Sequence, residues 1–191
     1  YFEGKDNILD IGSGRGEFIE LLIENGKKQV LGIDLNRQMI ERCQETNLPV
    51  KHYDGVKYLE ENDNLKLGGI FSSQVIEHLK PSQISKLIKN AYKNLEEGGV
   101  LIMETINPMC LVTHAMTYPL DLTHKQLVHP FTIAMLLEEY GFKNIDFIYS
   151  SRNDKEDPLL KIEGIDESKL EKYNEKIKRM YELIFGYQDY A

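Results

Sequence analysis

Short apolar runs alternate along the chain with longer stretches in which apolar positions recur every three or four residues, the pattern of a parallel sheet flanked by helices. The run at 7–11 predicts a first strand. Phe18, Leu21 and Leu22 then share one face of a helix over 17–25, closed by Gly26. A second strand follows at 29–34, and Asn36 is placed to cap a helix carrying Met39, Ile40 and Cys43. Pro49 precedes a third strand at 50–53, and a fourth is expected at 70–73. Pro81 suits the first turn of a helix with the stripe Ile84, Leu87, Ile88, Ala91 and Leu95, closed by Gly98 and Gly99. A fifth strand is expected at 100–104. The implied fold is α/β: a doubly wound, Rossmann-like, mostly parallel sheet with helices on both faces.

Beyond the fifth strand, periodicity fails over 107–128, a segment rich in Met, Thr and His that reads as a long loop or short helical turns. His129 and Pro130 read as the start of a helix over 130–140, ended by Gly141, and 142–149 alternates as a strand. Charged residues make up 18 of the final 40 positions. Among them Leu170, Tyr173, Ile177, Met180, Ile184 and Tyr187 form a heptad-like stripe. It predicts a helix over 166–185, either a crossover packed on its own domain or a helix offered to a partner.

A length of 191 residues suits a single domain spanning 1–191; the start at Tyr1 without methionine suggests a chain truncated at its beginning, and the family resemblance given below implies one that also stops early in its last strand. The formal charge of −8 has the wrong sign for electrostatic capture of nucleic acid. Without an apolar run near the roughly 20 residues that span a bilayer, or a secretory pattern, a cytoplasmic location is expected. Cys43 and Cys110 fall in no ligand spacing, so no metal site is expected.

The chemistry begins where the first strand meets the first helix, at Asp10-Ile11-Gly12-Ser13-Gly14-Arg15-Gly16. Glycines there allow a sharp turn and let a ligand press against bare backbone at a helix N-terminus, although such a turn also serves simple packing. A dinucleotide fingerprint needs a further glycine where Glu17 stands, and the Gly-Lys-Ser/Thr of a triphosphate-binding loop is missing. Asp34 ends the second strand, where a carboxylate accepts from both hydroxyls of a ribose, and Asp54 closes the third, within reach of an adenine amino group. Asp10, Asp34 and Asp54 would all lie at the carboxyl edge of the sheet and together define a nucleoside site.

These residues resemble the class I S-adenosylmethionine-dependent methyltransferases. The resemblance also runs through Gly32-Ile33-Asp34-Leu35, Tyr53-Asp54-Gly55, Gln74-Val75-Ile76-Glu77-His78-Leu79 and Glu97-Gly98-Gly99-Val100-Leu101. It implies S-adenosylmethionine as cofactor, with the loop of Gly12, Ser13, Gly14 and Gly16 around its methionine part and Asp34 on the ribose. It further implies Leu35 and Met39 on the two faces of adenine, Asp54 and Gly55 at its edge, and Gln74 near the methionine part. Arg15 either pairs with the methionine carboxylate or lies on the helix surface. Leu67-Gly68-Gly69-Ile70-Phe71, Glu104-Thr105-Ile106-Asn107-Pro108 and Asp121-Leu122-Thr123-His124 are similar to methyltransferases associated with glycosyltransferases in surface-polysaccharide and O-antigen pathways.

A hydroxyl acceptor must lose its proton as it attacks the methyl group, a task that suits histidine. His124 is the expected base, oriented by Asp121, unless it merely orders its loop; His78 can cap the following segment. Glu104 and Asn107 are placed to meet sugar hydroxyls, although a strand-end turn also favours Asn107 and Pro108 for purely local reasons. The expected activity is O-methylation of a glycan or related hydroxyl-bearing small molecule. The rivals are a flat aromatic or quinone-like acceptor held by Met109, Leu111, Met116 and Tyr118, and a binding module without catalysis.

Overall fold

The computed structural model describes residues 1–111, 113–149, 151–152, 166–185 and 187–188. Five strands, β1 (Ile8–Ile11), β2 (Val30–Asp34), β3 (Val50–His52), β4 (Leu67–Ser73) and β5 (Leu95–Glu104), form a parallel sheet in the order β3-β2-β1-β4-β5. The helices are α1 (Glu17–Glu24), α2 (Arg37–Glu45), α3 (Gly55–Glu61), α4 (Pro81–Asn94), α5 (Pro130–Tyr140) and α6 (Glu167–Phe185). A two-residue antiparallel pair, β6 (Ser151–Arg152) with β7 (Tyr187–Gln188), lies apart from this sheet.

All four residues of β1 are buried, as a central parallel strand covered on both faces requires. Alternation divides them between two cores. Leu9 and Ile11 join a core with Ile33, Ile70 and the α4 stripe Ile84, Leu87, Ile88 and Ala91. Ile8 joins Phe2 and Leu22, with the tilted rings of Phe18 and Phe71 4.1 Å apart between centroids. Helices therefore cover both faces, as expected for a doubly wound sheet.

Several boundaries depart from the sequence reading. Asp54 does not close a strand; it caps α3, its Oδ1 accepting from the Lys57 N–H at 3.0 Å. This helix escaped the periodicity because it is only seven residues long and opens with glycine. α4 ends at Asn94, not at Gly98 and Gly99, because the buried Asn94 side chain donates to the Leu59 and Asn90 carbonyls and accepts from the Leu65 N–H. Both glycines lie within β5, beside a register shift between Leu67 and Gly69. Residues 142–149 form no strand: Phe142 packs on Tyr92 and Phe147 on Phe131, so side-chain anchors replace ladder hydrogen bonds.

The C-terminal helix forms, and part of its stripe is open to solvent. Tyr173 is 59% and Met180 58% exposed, with Leu170 and Ile177 only half-buried. Helical spacing sets which residues share a face; what covers that face is a tertiary matter. The side chains of Ile184 and Tyr187 lie outside the described ones.

Candidate active site

The strand order reverses between β1 and β4, so the loops after these strands border the crevice where open α/β sheets receive ligands. The first is the glycine loop. Gly12 has φ of +79°, and a Cβ there would lie 2.4 Å from Val75 Cγ2, so no other residue fits. Gly14, also at positive φ, would point a Cβ into open space, leaving a bare stretch of backbone for a ligand. Its N–H donates to Asp34 Oδ2 at 2.9 Å, while Asp34 Oδ1 accepts from the Asn36 N–H at 2.6 Å. Each carboxylate oxygen keeps a lone pair for ribose hydroxyls. Two buried polar atoms here have no protein partner, Ser13 Oγ and Gln74 Nε2. Such orphans fit a ligand that completes them.

The remaining nucleoside residues divide. Leu35 is an exposed apolar side chain immediately after Asp34, Met39 is half-buried on the first turn of α2, and Asp54 is half-buried at the α3 cap. All three are free to flank a base. Gly55 belongs to the packing, because a Cβ there would come within 2.3 Å of Ile11 Cγ2. Gly16 likewise serves the fold, its missing Cβ leaving room for Leu48 and Cys43 at the start of α1. Arg15 is a surface residue paired with Glu17 at 2.6 Å, and is not gathered into the cradle. Asp10 is the penultimate residue of β1, at its carboxyl end as expected, but it is buried at 2% exposed. Burial, reinforced by the charges of Asp34 and Glu17, pushes its carboxyl up to about 7.

On the other side of the switch point, a short 3-10 turn at Ile76–His78 follows Gln74 and meets the loop after β5. The Glu77 carbonyl accepts from the Lys125 and Gln126 N–H groups, Lys125 Nζ donates to the His78 carbonyl, and Gln126 Nε2 donates to that of Leu79. These bonds place His124 over His78, with ring centroids 4.7 Å apart. Asp121 does not hold His124 as expected. Its Oδ1 accepts from the Thr123 N–H and hydroxyl, which keep the carboxyl below its ordinary range, whereas His124 Nδ1 lies 2.8 Å from the Tyr118 carbonyl and stacks on the Tyr118 ring.

These contacts fix the tautomers. A carbonyl only accepts, so His124 Nδ1 carries a proton, and in the neutral ring the lone pair is on Nε2. The Thr123 hydroxyl donates to Asp121 at 2.7 Å and so accepts from His78 Nδ1 at 2.9 Å, which leaves the His78 lone pair on Nε2 as well. His78 is thus not a cap; the Lys80 N–H at the start of α4 is satisfied by Gln83 Oε1. Asn107 is folded into its own turn, its Oδ1 accepting from the Met109 N–H, and the Glu104 carbonyl accepts from the Gln74 N–H.

Sequence reasoning gave Glu77 no role. It is 1% exposed, neither carboxylate oxygen meets hydrogen-bond geometry with a partner among the described residues, and it lies beside both imidazoles. Burial pushes its carboxyl up, opposed by its own backbone, the nearby Thr105 hydroxyl and the two histidines. The available signal was an acidic residue set between Ile76 and Leu79 directly after a strand.

A sheet with this strand order, a glycine loop opening to a ligand and an acidic β2 end define the S-adenosylmethionine-dependent methyltransferase class. The chain belongs to the methyltransferase-domain family, whose profile matches residues 1–146. Family and fold assign S-adenosylmethionine as its cofactor. The structure is similar to an S-adenosylmethionine-dependent methyltransferase from Archaeoglobus fulgidus, at 33% identity and a TM-score of 0.88, over 100% of this chain and 86% of that one. The fold is shared with a methyltransferase of the same cofactor from Mesorhizobium loti, at 18% identity, a TM-score of 0.55, and coverage of 72% and 74%. In sequence, a carboxy-S-adenosyl-L-methionine synthase from Trichodesmium erythraeum is 29% identical over 117 residues, 58% of this chain and 46% of that protein. The chain thus spans about half the length of the curated relatives it matches. No helix among the described residues is long and apolar enough to cross a membrane.

Proposed function

We propose that the chain transfers the methyl group of S-adenosylmethionine to a hydroxyl oxygen of a polar acceptor, a glycan or related polyhydroxylated small molecule. The observation that carries this reading is the pair of imidazoles, each with its lone pair on Nε2, next to the cofactor crevice. The cofactor supplies a sulfonium carbon open to in-line attack. Asp34 accepts from the ribose, the Gly14 backbone, Ser13 and Gln74 meet the methionine part, and Leu35, Met39 and Asp54 surround the base. Asp10 and Gly12 shape the floor of the loop. His124 receives the acceptor's proton at Nε2, and the Tyr118 carbonyl on Nδ1 holds the ring and favours the imidazolium that forms. Asp121 acts one step away, through Thr123 on His78.

The surroundings favour a polar acceptor over a flat apolar one. Met109 is 40% and Leu111 56% exposed, and Tyr118 is stacked on His124, so these described side chains of the rival set line no closed apolar pocket. The test is release of S-adenosylhomocysteine that depends on the acceptor, with oligosaccharides and polyols set against phenols and quinols. Polyol-dependent release supports the reading, preference for phenols transfers it to the aromatic class, and no acceptor-dependent release from any of them overturns it.

A further inference from the structure

A base at His124 does not account for Glu77. A carboxylate removed from water is costly when, as among the described residues here, neither oxygen meets hydrogen-bond geometry with a partner and no lysine or arginine pairs with it. Lys125, the nearest basic residue in the adjoining loop, donates its ammonium to the His78 carbonyl instead. What does face Glu77 is the two imidazoles: one ligand atom each from Glu77, His78 and His124 lie within 4.8 Å of one another. Three electron-pair donors this close together, one of them a buried anion, match the surroundings of a cation.

We propose that Glu77, His78 and His124 form a binding site for one divalent transition-metal ion. The second layer of contacts is the kind that metal-binding histidines use. Each ring nitrogen Nδ1 is committed to an oxygen, the Tyr118 carbonyl for His124 and the Thr123 hydroxyl for His78, so both Nε2 lone pairs are presented in a fixed orientation. Behind Thr123 stands Asp121, giving a carboxylate–hydroxyl–imidazole relay that raises the donor strength of His78. The two segments supplying the ligands are tied by the Lys125 and Gln126 bonds, so the site is built by the fold and not by chance approach of surface side chains.

Two imidazoles and one carboxylate suit manganese, iron, cobalt, nickel or zinc dications better than calcium or magnesium, which favour all-oxygen surroundings. Three protein ligands leave open positions, and His78 and His124 are only half-buried, so small oxygen ligands can enter. The role of the ion rests on the methyl-transfer reading above and deepens it. An acceptor with two neighbouring oxygens binds at the open positions and its hydroxyl proton passes to solvent because the cation stabilises the alkoxide; with the ion bound, His124 holds the cation, and the proton-accepting role given above belongs to the ion-free site. The oxygen then takes the methyl carbon as the carbon–sulfur bond breaks, leaving the neutral thioether.

The experiment is titration of the whole chain with cobalt(II), followed by its visible d–d absorption and by calorimetry, with X-ray absorption of the zinc-loaded chain. One equivalent is expected to bind, with two imidazole nitrogens in the first coordination shell. His78→Ala and His124→Ala should each weaken cobalt binding by more than about 100-fold, and Thr123→Val by about 10-fold to 100-fold, the usual cost of an outer partner. His114→Ala should bind as the unmodified chain does, because His114 is held at the Pro108 carbonyl. Absence of one-to-one binding, a coordination shell without imidazole, or equal loss in His114→Ala and His78→Ala overturns the proposal. If the alanine variants fail to fold, the zinc-loaded coordination shell of the unmodified chain decides alone. Metal binding without methyl transfer to any hydroxyl would leave the site standing and remove the activity, whereas chelator-insensitive methyl transfer by a chain that binds no metal would do the reverse.

Discussion

Asp10→Asn should stabilise the fold increasingly as pH rises. Asp10 is buried in the central strand, and its carboxyl is raised from an ordinary 3.8 to about 7 by burial first, then by the Asp34 and Glu17 charges. A carboxyl whose pKa is higher in the folded state contributes stability that is fully present below the unfolded value. That stability is lost as pH rises through the folded value. At about 1.36 kcal/mol per pH unit, this group alone costs the native state about 4 kcal/mol by slightly alkaline pH, less where water reaches the loop. Asparagine has the same shape and no charge, so it escapes that cost. Comparing urea unfolding of the two proteins near pH 5 and near pH 8.5 cancels any pH-independent effect of the substitution. The stability gap should widen in favour of Asp10→Asn by about 3 kcal/mol between the two conditions. A gap that stays constant would mean that Asp10 titrates like an exposed carboxyl, and that the loop does not seal it from water.

Asp34→Ala should weaken S-adenosylmethionine binding by about 1 to 3 kcal/mol, since ribose hydroxyls lose a charged acceptor; isothermal titration measures it, and unchanged affinity removes Asp34 from the cradle. His124→Ala should lower turnover by about 100-fold to 10,000-fold with cofactor affinity little altered; equal loss of both in steady-state and binding assays would make it a structural residue. Gly55→Ala should destabilise the protein by about 1 to 3 kcal/mol in chemical denaturation, because its Cβ would come within 2.3 Å of Ile11 Cγ2. Tyr173→Ser should change stability by no more than about 0.5 kcal/mol, because the residue is exposed on α6; a larger loss in the same assay would show that the stripe is covered in solution.

The scaffold was legible wherever a local signal sufficed. The first three strands, the Asn36 cap and the Pro130 to Gly141 helix are legible from neighbouring residues, and the structure shows them within a residue or two, whereas β4 begins three and β5 five residues earlier than their apolar runs. The glycine loop was legible because a left-handed turn against Val75 admits little else. What depended on distant parts of the chain was not. The side-chain lock formed by Asn94 ends α4 through contacts as far away as Leu59 and Leu65. The pairing of His78 with Thr123 spans 45 positions, so no spacing rule relates the two, and Asp121 was assigned to its near neighbour His124 when its hydroxyl partner leads to His78. Glu77 passed unnoticed because its burial, not its identity, makes it unusual.

Incubation with S-adenosylmethionine carrying a carbon-13 methyl group, followed by NMR of the products, tests the central claim most directly. With a polyhydroxylated acceptor present, the account predicts that the labelled signal moves from the sulfonium position to that of a methyl ether, and that the transfer is lost in His124→Ala. Label that remains on sulfur with every hydroxyl acceptor, or that arrives on nitrogen or carbon, would contradict it.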